Sequence, residues 1–279
     1  MIDIQASGQA CGASVTGLDL RQKLSEIQVQ QIRAAWLQHH VLAFPNQDLN
    51  NDDLERFTLS FGAFGEDPFI ASIKDRKHII AVERAANETT PIFAEAWHTD
   101  WSFQKEPPSG TCLYGITIPP VGGDTLFVNQ HKAYQAMHLG MREKYQGLQA
   151  IHSARLAYSP EGMYGVKEYG RTMDIKPSAA ALETQTHPLV RAHQETGELG
   201  FYGTAGYVIG IEGMSDKESE ELLMELHQWQ IQPQFQYRHQ WQEKMLLMWD
   251  NRSLLHRATG GFQGHARLLH RTTIGAAAQ

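Results

Sequence analysis

The sequence predicts a mainly β chain, a double-sheet sandwich or jelly roll with a few peripheral helices. Three observations carry that expectation. Strand-like runs are many and short, and Gly- or Pro-containing turns separate them. Helix signatures are few and do not alternate with strands as a parallel α/β sheet requires. No internal repeat or low-complexity segment interrupts the pattern. Residues 1–279 are therefore expected to form a single domain.

Taken in order, Ile2-Asp3-Ile4 and Ala13-Ser14-Val15-Thr16 read as two strands joined by a turn holding Gly8 and Gly12. A helix follows, opened by Ser25 with Gln28 as a capping box and flanked by the Leu24/Val29 staple pair. Ile32 and Trp36 continue its apolar face as far as His39-His40. Val41 to Phe44 is a buried strand, and a second amphipathic helix runs from about Asp52 through Leu54, Phe57 and Phe61 to a stop at Gly62. His78 to Val82 and Thr111 to Ile118 read as strands, then a Pro119-Pro120-Val121-Gly122-Gly123-Asp124 turn and a strand from Thr125 to Val128. A helix is expected over 131–146. The weakly periodic stretch at about 156–186 reads as an insertion, with a lid as its expected role. Pro188–His193 and Leu199–Tyr202 suggest a hairpin, Ser215 with Glu218 caps a helix through Trp229, and Lys244–Asp250 and Arg267–Ile274 are the last strands.

Composition narrows the function. The chain is 42% hydrophobic and 20% charged, with a net charge of −7 and both signs interspersed, so no basic stripe invites nucleic acid. No run of 18 apolar residues occurs, and Met1 to Gln5 has neither a positive leader nor an apolar core, which together lead us to expect a cytoplasmic protein without a membrane partner. Cys11 and Cys112 are too few for a disulfide framework and are expected to be buried thiols. Oligomeric state is left open, a homo-oligomer included.

The chemistry centres on Trp97-His98-Thr99-Asp100-Trp101. In an extended chain, side chains at i and i+2 share a face, so His98 and Asp100 project together. An imidazole and a carboxylate on one face are two parts of a 2-His-1-carboxylate facial triad, which holds Fe(II) and leaves positions open for substrate chemistry. His256, just past the apolar 244–250 strand, is the candidate third ligand, although an isolated histidine is more often structural. The final strand puts Arg267, Leu269, Arg271 and Thr273 on one face, with the two guanidiniums about 13 Å apart. If that face points outward, they are two solvated charges. If it points inward, both need anionic partners, for which ligand carboxylates are suited.

Together, His98-x-Asp100, Gly123-Asp124-Thr125, Trp249-Asp250-Asn251-Arg252 with His256, and Arg267 with Arg271 make the chain resemble the taurine dioxygenase (TauD/TfdA) family. The motifs are individually weak but occur in the family's order, with an 11-residue interval from His256 to Arg267, and the similarity extends from the first strand to Ile274. The resemblance implies a double-stranded β-helix (jelly-roll) core and an Fe(II)- and 2-oxoglutarate-dependent dioxygenase. It implies His98, Asp100 and His256 as iron ligands, and Thr125 and Arg267 as binders of the 2-oxoglutarate carboxylates. Arg271 would grip the anionic group of a small substrate. It further implies O2 as oxidant, succinate and CO2 as co-products, and hydroxylation of an unactivated C–H. Tyr207 falls near a pocket aromatic of the family, a core tyrosine being the alternative, and Trp97 and Trp101 read as core.

Two departures bear on the substrate. The family's His-Pro-x-Tyr element is here Asp67-Pro68-Phe69-Ile70, and Ala94 stands where the taurine enzyme has an asparagine. Both remove groups that would contact an amino-sulfonate, and Asp67 carries the wrong charge for a sulfonate, so the departures argue against taurine. Two other readings fit the ligand types. A zinc hydrolase could use the same three ligands to activate water, but leaves both arginines idle. A non-catalytic carboxylate-binding jelly roll would use the arginines but not an open metal site.

Overall fold

The structure is a computed structural model in which residues 2–166, 170–204 and 206–276 are described. It is mostly β with few helices. In chain order come β1 (Asp3–Ala6), β2 (Ala13–Thr16), α1 (Glu26–His39), β3 (Val41–Phe44), α2 (Asn51–Leu59), β4 (Ile80–Arg84), β5 (Gly110–Thr117) and β6 (Thr125–Asn129). Next are α3 (Gln130–Ala136), α4 (Leu139–Tyr145), β7 (Gln149–Ser153), α5 (Arg155–Tyr158), β8 (Thr184–Pro188), β9 (Val190–Ala192), β10 (Leu199–Phe201) and β11 (Val208–Ile211). The chain closes with α6 (Asp216–Gln230), β12 (Gln236–His239), β13 (Leu246–Asp250), β14 (Leu254–Ala258) and β15 (Arg267–Ile274).

A seven-stranded sheet, ordered β1-β2-β3-β13-β5-β15-β4, faces a three-stranded sheet ordered β12-β6-β14. The pairings are antiparallel except β2 with β3. Period-two alternation decides what each pleat covers. Leu42, Phe44, Cys112, Tyr114, Leu246 and Met248 turn outward under α1 and α2, packing with Trp36 and Phe57. The alternate residues Val41, Ala43, Leu113, Leu247, Trp249 and Leu269 turn inward and meet Phe127, Tyr237 and Leu254 of the smaller sheet. On that sheet's far side, Val128 and Leu255 pack with α3 and α6 through Tyr134, Leu223 and Leu226. The inward pleat of β15 therefore faces the space between the sheets, and Arg267 and Arg271 lie on it, both buried.

The capping boxes at Ser25/Gln28 and Ser215/Glu218 form as expected, and α2 is opened by a third, Asn50/Asp53. Cys11 and Cys112 are free and buried, with burial pushing both thiols up to about 12. No helix among the described residues is long and apolar enough to cross a membrane.

Several expectations need correction. The helix expected over 131–146 is two helices: Met137 takes an extended backbone (φ −74°, ψ 136°) to bury its side chain, and His138 then caps α4, its imidazole accepting from the Gly140 amide at 3.4 Å. α2 stops at Leu59, capped at Ser60, before Gly62. Segment 97–101 is not a strand; only His98 bridges a neighbour, and the backbone turns at Asp100 into a left-handed Trp101 (φ 49°). The end of the 156–186 insertion belongs to β8, which pairs with β7. Residues 167–169 of that insertion lie outside the described residues.

Candidate active site

His98 and His256 face each other across a pair of backbone hydrogen bonds, His98 N to His256 O at 3.0 Å and His256 N to His98 O at 2.8 Å. Such directly opposed residues present side chains to the same face, and the imidazole centroids are 4.2 Å apart. Because β14 carries His256, this bridge moors the 97–101 loop to the edge of the smaller sheet. Thr99 adds a second tie, its hydroxyl donating to Leu254 O at 2.9 Å. The turn after Thr99 then brings Asp100 back to the histidines: its Oδ1 is 3.5 Å from His98 Nε2 and 3.6 Å from His256 Nε2. One ligand atom from each of the three residues lies within 4.8 Å of the others, and all three residues are buried.

The donor set fits a divalent metal. His98 Nδ1 sits 2.8 Å from the Ala96 carbonyl, which can only accept, so Nδ1 carries the proton and Nε2 offers its lone pair. His256 is held by contacts with Trp249 and Phe127, at centroid distances of 4.9 and 5.8 Å. Burial, then the His98 ring, push His256 down to about 3, which leaves it a neutral ligand. Burial disfavours a charged Asp100, but His256, His98 and Arg271 outweigh it and hold the carboxyl well below the usual range. Its Oδ2 accepts from Thr111 Oγ1 at 2.7 Å, and that hydroxyl accepts from Asn251 Nδ2 at 2.9 Å. Oδ1 is thus the oxygen turned to the imidazoles.

Arg267 and Thr125 form a second cluster, joined by Trp241. The indole Nε1 donates to Thr125 Oγ1 at 3.0 Å, which leaves the threonine proton to give elsewhere, and the ring lies 5.9 Å from the Arg267 guanidinium. Arg267 donates to Gly123 O at 3.3 Å, its Nε has no acceptor, and no carboxylate pairs with it among the described residues. Burial pushes this guanidinium down to about 10, opposed by Asp124. A buried cation without an acidic partner is ready to donate to a ligand carboxylate.

Above His98 and Asp100 opens a chamber of about 500 Å³ walled by Ile92, Phe93, Leu156, Tyr158, Met163 and Tyr164. Ile92 and Phe93 also wall a void of about 20 Å³ beside Arg267, so they stand between the two clusters. Arg271 and Tyr207 line the chamber, Tyr207 meeting the His98 ring edge-on at 6.1 Å. Arg271 Nη1 is 3.9 Å from Asp100 Oδ1. Its Nη2 pairs with Asp67, which also accepts from Trp101 Nε1 at 2.8 Å. Trp101 is a chamber residue as well as a core one: it lines the wall and underlies the Arg271 guanidinium at 5.0 Å. Trp97 does pack in the core.

The three residues singled out in the sequence as candidate ligands do come together, and both arginines are buried on the inward pleat, but sequence reasoning missed Thr111, Trp241 and the supporting part of Asn251. The Asp250-Asn251-Arg252 run has a structural part too. Asp250 accepts from the Arg252 amide (2.8 Å), from its Nε (2.9 Å) and Nη2 (2.7 Å), and contacts His193 Nε2 at 3.0 Å, which fixes the turn between β13 and β14.

Comparison with known proteins points the same way. The profile of the taurine catabolism dioxygenase TauD, TfdA family matches residues 3–273. An (S)-phenoxypropionate/alpha-ketoglutarate-dioxygenase of Delftia acidovorans is 33% identical over 266 residues, which is 92% of this chain and 89% of that protein. An alpha-ketoglutarate-dependent 2,4-dichlorophenoxyacetate dioxygenase of Cupriavidus pinatubonensis is 31% identical over 88% of each chain. Among solved structures, a taurine dioxygenase from Burkholderia xenovorans superposes with a TM-score of 0.82 at 30% identity, covering 99% of this chain and 90% of its own. AAD-2 in complex with Mn(II) and N-oxalylglycine superposes with a TM-score of 0.78 at 25% identity, covering 100% and 98%.

Proposed function

We propose, from the premise that this chain belongs to the TauD/TfdA family of dioxygenases, that it hydroxylates an unactivated C–H bond of a small anionic substrate with an apolar body. The chain is a 2-oxoglutarate-dependent oxidoreductase, with Fe(II) as its metal and 2-oxoglutarate and O2 as co-substrates. When bound, these together supply the oxidising power, and succinate and CO2 are the co-products. Family membership leaves the zinc-hydrolase and sensor readings without support.

Within that chemistry we assign His98, Asp100 and His256 as metal ligands. The observation that carries the assignment is the buried cluster itself, with Nε2 of both imidazoles and Oδ1 of Asp100 converging. Thr125 and Arg267 are assigned to the 2-oxoglutarate carboxylates, because Arg267 is a buried cation without an acidic partner. Arg271 and Tyr207 are assigned to the substrate side, where they line the chamber. The apolar walls would seat the substrate's body and exclude water, so that one C–H is held toward the metal. Relatives named for phenoxypropionate, 2,4-dichlorophenoxyacetate and sulfate esters support an acid or ester of that kind, and Asp67 and Ala94, which lack the groups that would contact an amino-sulfonate, argue against taurine.

The two facing sheets, with His256 packed against Phe127 and Trp249 between them, support reading the core as a jelly roll in a single domain. Residues 156–186 we read as its lid, since Leu156, Tyr158, Met163 and Tyr164 supply chamber wall. The two unpaired buried thiols support a cytoplasmic location.

Anaerobic titration with Fe(II) and 2-oxoglutarate tests the site directly. We expect a visible metal-to-ligand charge-transfer band that is absent in His98→Ala. In Arg267→Ala the band should need at least about 30-fold more 2-oxoglutarate, the cost of leaving a buried carboxylate unpaired. Folded wild-type protein that gives no band would overturn the reading.

A further inference from the structure

Arg267 and Arg271 invite comparison because they are alike in everything but their partners. Both lie on the inward pleat of β15, at 8% and 5% exposure. Arg267 has no carboxylate partner among the described residues, whereas Arg271 is ion-paired to Asp67. Asp67 is itself nearly buried, its side chain 9% exposed, and it is not part of the chamber wall. It reaches the chamber only through the two residues it holds, accepting from Arg271 Nη2 and from Trp101 Nε1. Trp101 in turn underlies the guanidinium, so Arg271 is fixed from behind and from below.

We propose that Asp67 is a positioning and specificity residue: by pairing with Arg271 it cancels the free positive charge at the substrate end of the chamber. The inference rests on the assignment of Arg271 to the substrate side. Arg271 keeps donors to offer, since its Nε has no acceptor. What it lacks is a net charge to reward a full anion. The wall also carries Glu95, which is exposed, and Arg257, which is half-buried with its guanidinium 5.8 Å from the Trp97 ring; neither is ion-paired to Arg271 or Asp67. Asp100, also close to Arg271, is committed to the metal cluster. The protein therefore ranks substrates mainly by how their apolar body fills the chamber, and by a hydrogen-bond acceptor at the head, with little premium for a negative head. 2-Oxoglutarate, directed to the uncompensated Arg267, is selected by charge. One strand thus carries one arginine that discriminates by charge and one that does not.

The first test needs no known substrate. Crystals soaked in sodium bromide should show an anomalous peak at Arg267 and none at Arg271 in the wild type, and peaks at both in Asp67→Asn. Bromide at Arg271 in the wild type, or its absence there in Asp67→Asn, overturns the proposal. A missing peak at Arg267 would instead strike at the co-substrate assignment. The second test compares (S)-2-phenoxypropionate with its primary amide by calorimetry on protein loaded with Mn(II) and N-oxalylglycine. The acid-to-amide preference should be within about 3-fold in the wild type and in Asp67→Glu, which keeps the charge. In Asp67→Asn it should rise by about 10-fold or more, since a desolvated charge pair is then available to the acid alone. A preference for the acid of about 10-fold in the wild type, or one unmoved in Asp67→Asn, overturns the proposal, as does binding of neither compound to any of the three proteins. Should Asp67→Asn fail to fold, the wild-type peaks and the Asp67→Glu preference still decide.

Discussion

Thr111 carries no charge and does not line the chamber, yet it decides which way Asp100 faces. Its hydroxyl gives its proton to Asp100 Oδ2 and takes one from Asn251, so one carboxylate oxygen is occupied and the other is presented to the imidazoles. Thr111→Val keeps the shape and removes both bonds, leaving Asp100 Oδ2 and Asn251 Nδ2 buried without partners. We expect Mn(II) affinity to fall by about 10- to 100-fold, as is usual when support of a metal ligand is lost. Fluorescence or calorimetric titration would show this, and unchanged affinity would remove Thr111 from the site. None of it was legible in the chain, because a threonine in an apolar strand is ordinary. His98-x-Asp100 was legible, since a metal needs donor types that are few and they were close together. The reason given for it, a shared strand face, was not the one that operates: a turn at Trp101 returns the carboxylate to the imidazoles.

At the scale of elements, the helices were read where their signals are local. Ser25 with Gln28 and Ser215 with Glu218 satisfy the first amide groups from within four residues, so tertiary context hardly enters. The break at Met137 was invisible because burial of one side chain, decided by neighbours from α6, outweighed helix continuity. Strand β12, Gln236-Tyr237-Arg238-His239, escaped notice because its outward residues are polar and its pairing with β6 supplies the order. The turn after β13 depends on the buried Arg252–Asp250 pair, with side chains 5% and 0% exposed. Arg252→Ala leaves that carboxylate buried with only His193 beside it, and removing one partner of a buried ion pair typically costs about 3–5 kcal/mol. Urea unfolding should register a loss of that size. A loss below about 1 kcal/mol would mean that the turn holds without the pair.

Across the whole molecule, much of the imidazole is neutral because it is buried. Burial pushes His40 down to about 4 and His152 and His239 down to about 3, and none of them is in the metal cluster. Unfolded, each would titrate near its ordinary value of 6.5. A histidine depressed in the folded state contributes stability in full above 6.5 and loses it as the pH falls toward the folded value, because the unfolded chain binds the proton first. Three such sites give a slope of up to about 4 kcal/mol per pH unit. The urea midpoint should therefore fall steeply between pH 6 and pH 4, before most carboxylates titrate. A midpoint flat to pH 4 would show that these rings are not held neutral.

The sequence by itself determined the mainly β class, the anionic balance, the two capped helices, the candidate donor set His98, Asp100 and His256, and the pair of arginines on one pleat. These are properties of residue type, short spacing and period, which survive without knowledge of neighbours. Only the tertiary structure decided that the pleat faces inward, that one arginine is answered by Asp67 and the other is not, and that Ile92 and Phe93 part the two clusters. The physical reason is separation along the chain. Asp67 and Arg271 are 204 residues apart, and whether a charge is compensated depends on what folding puts beside it.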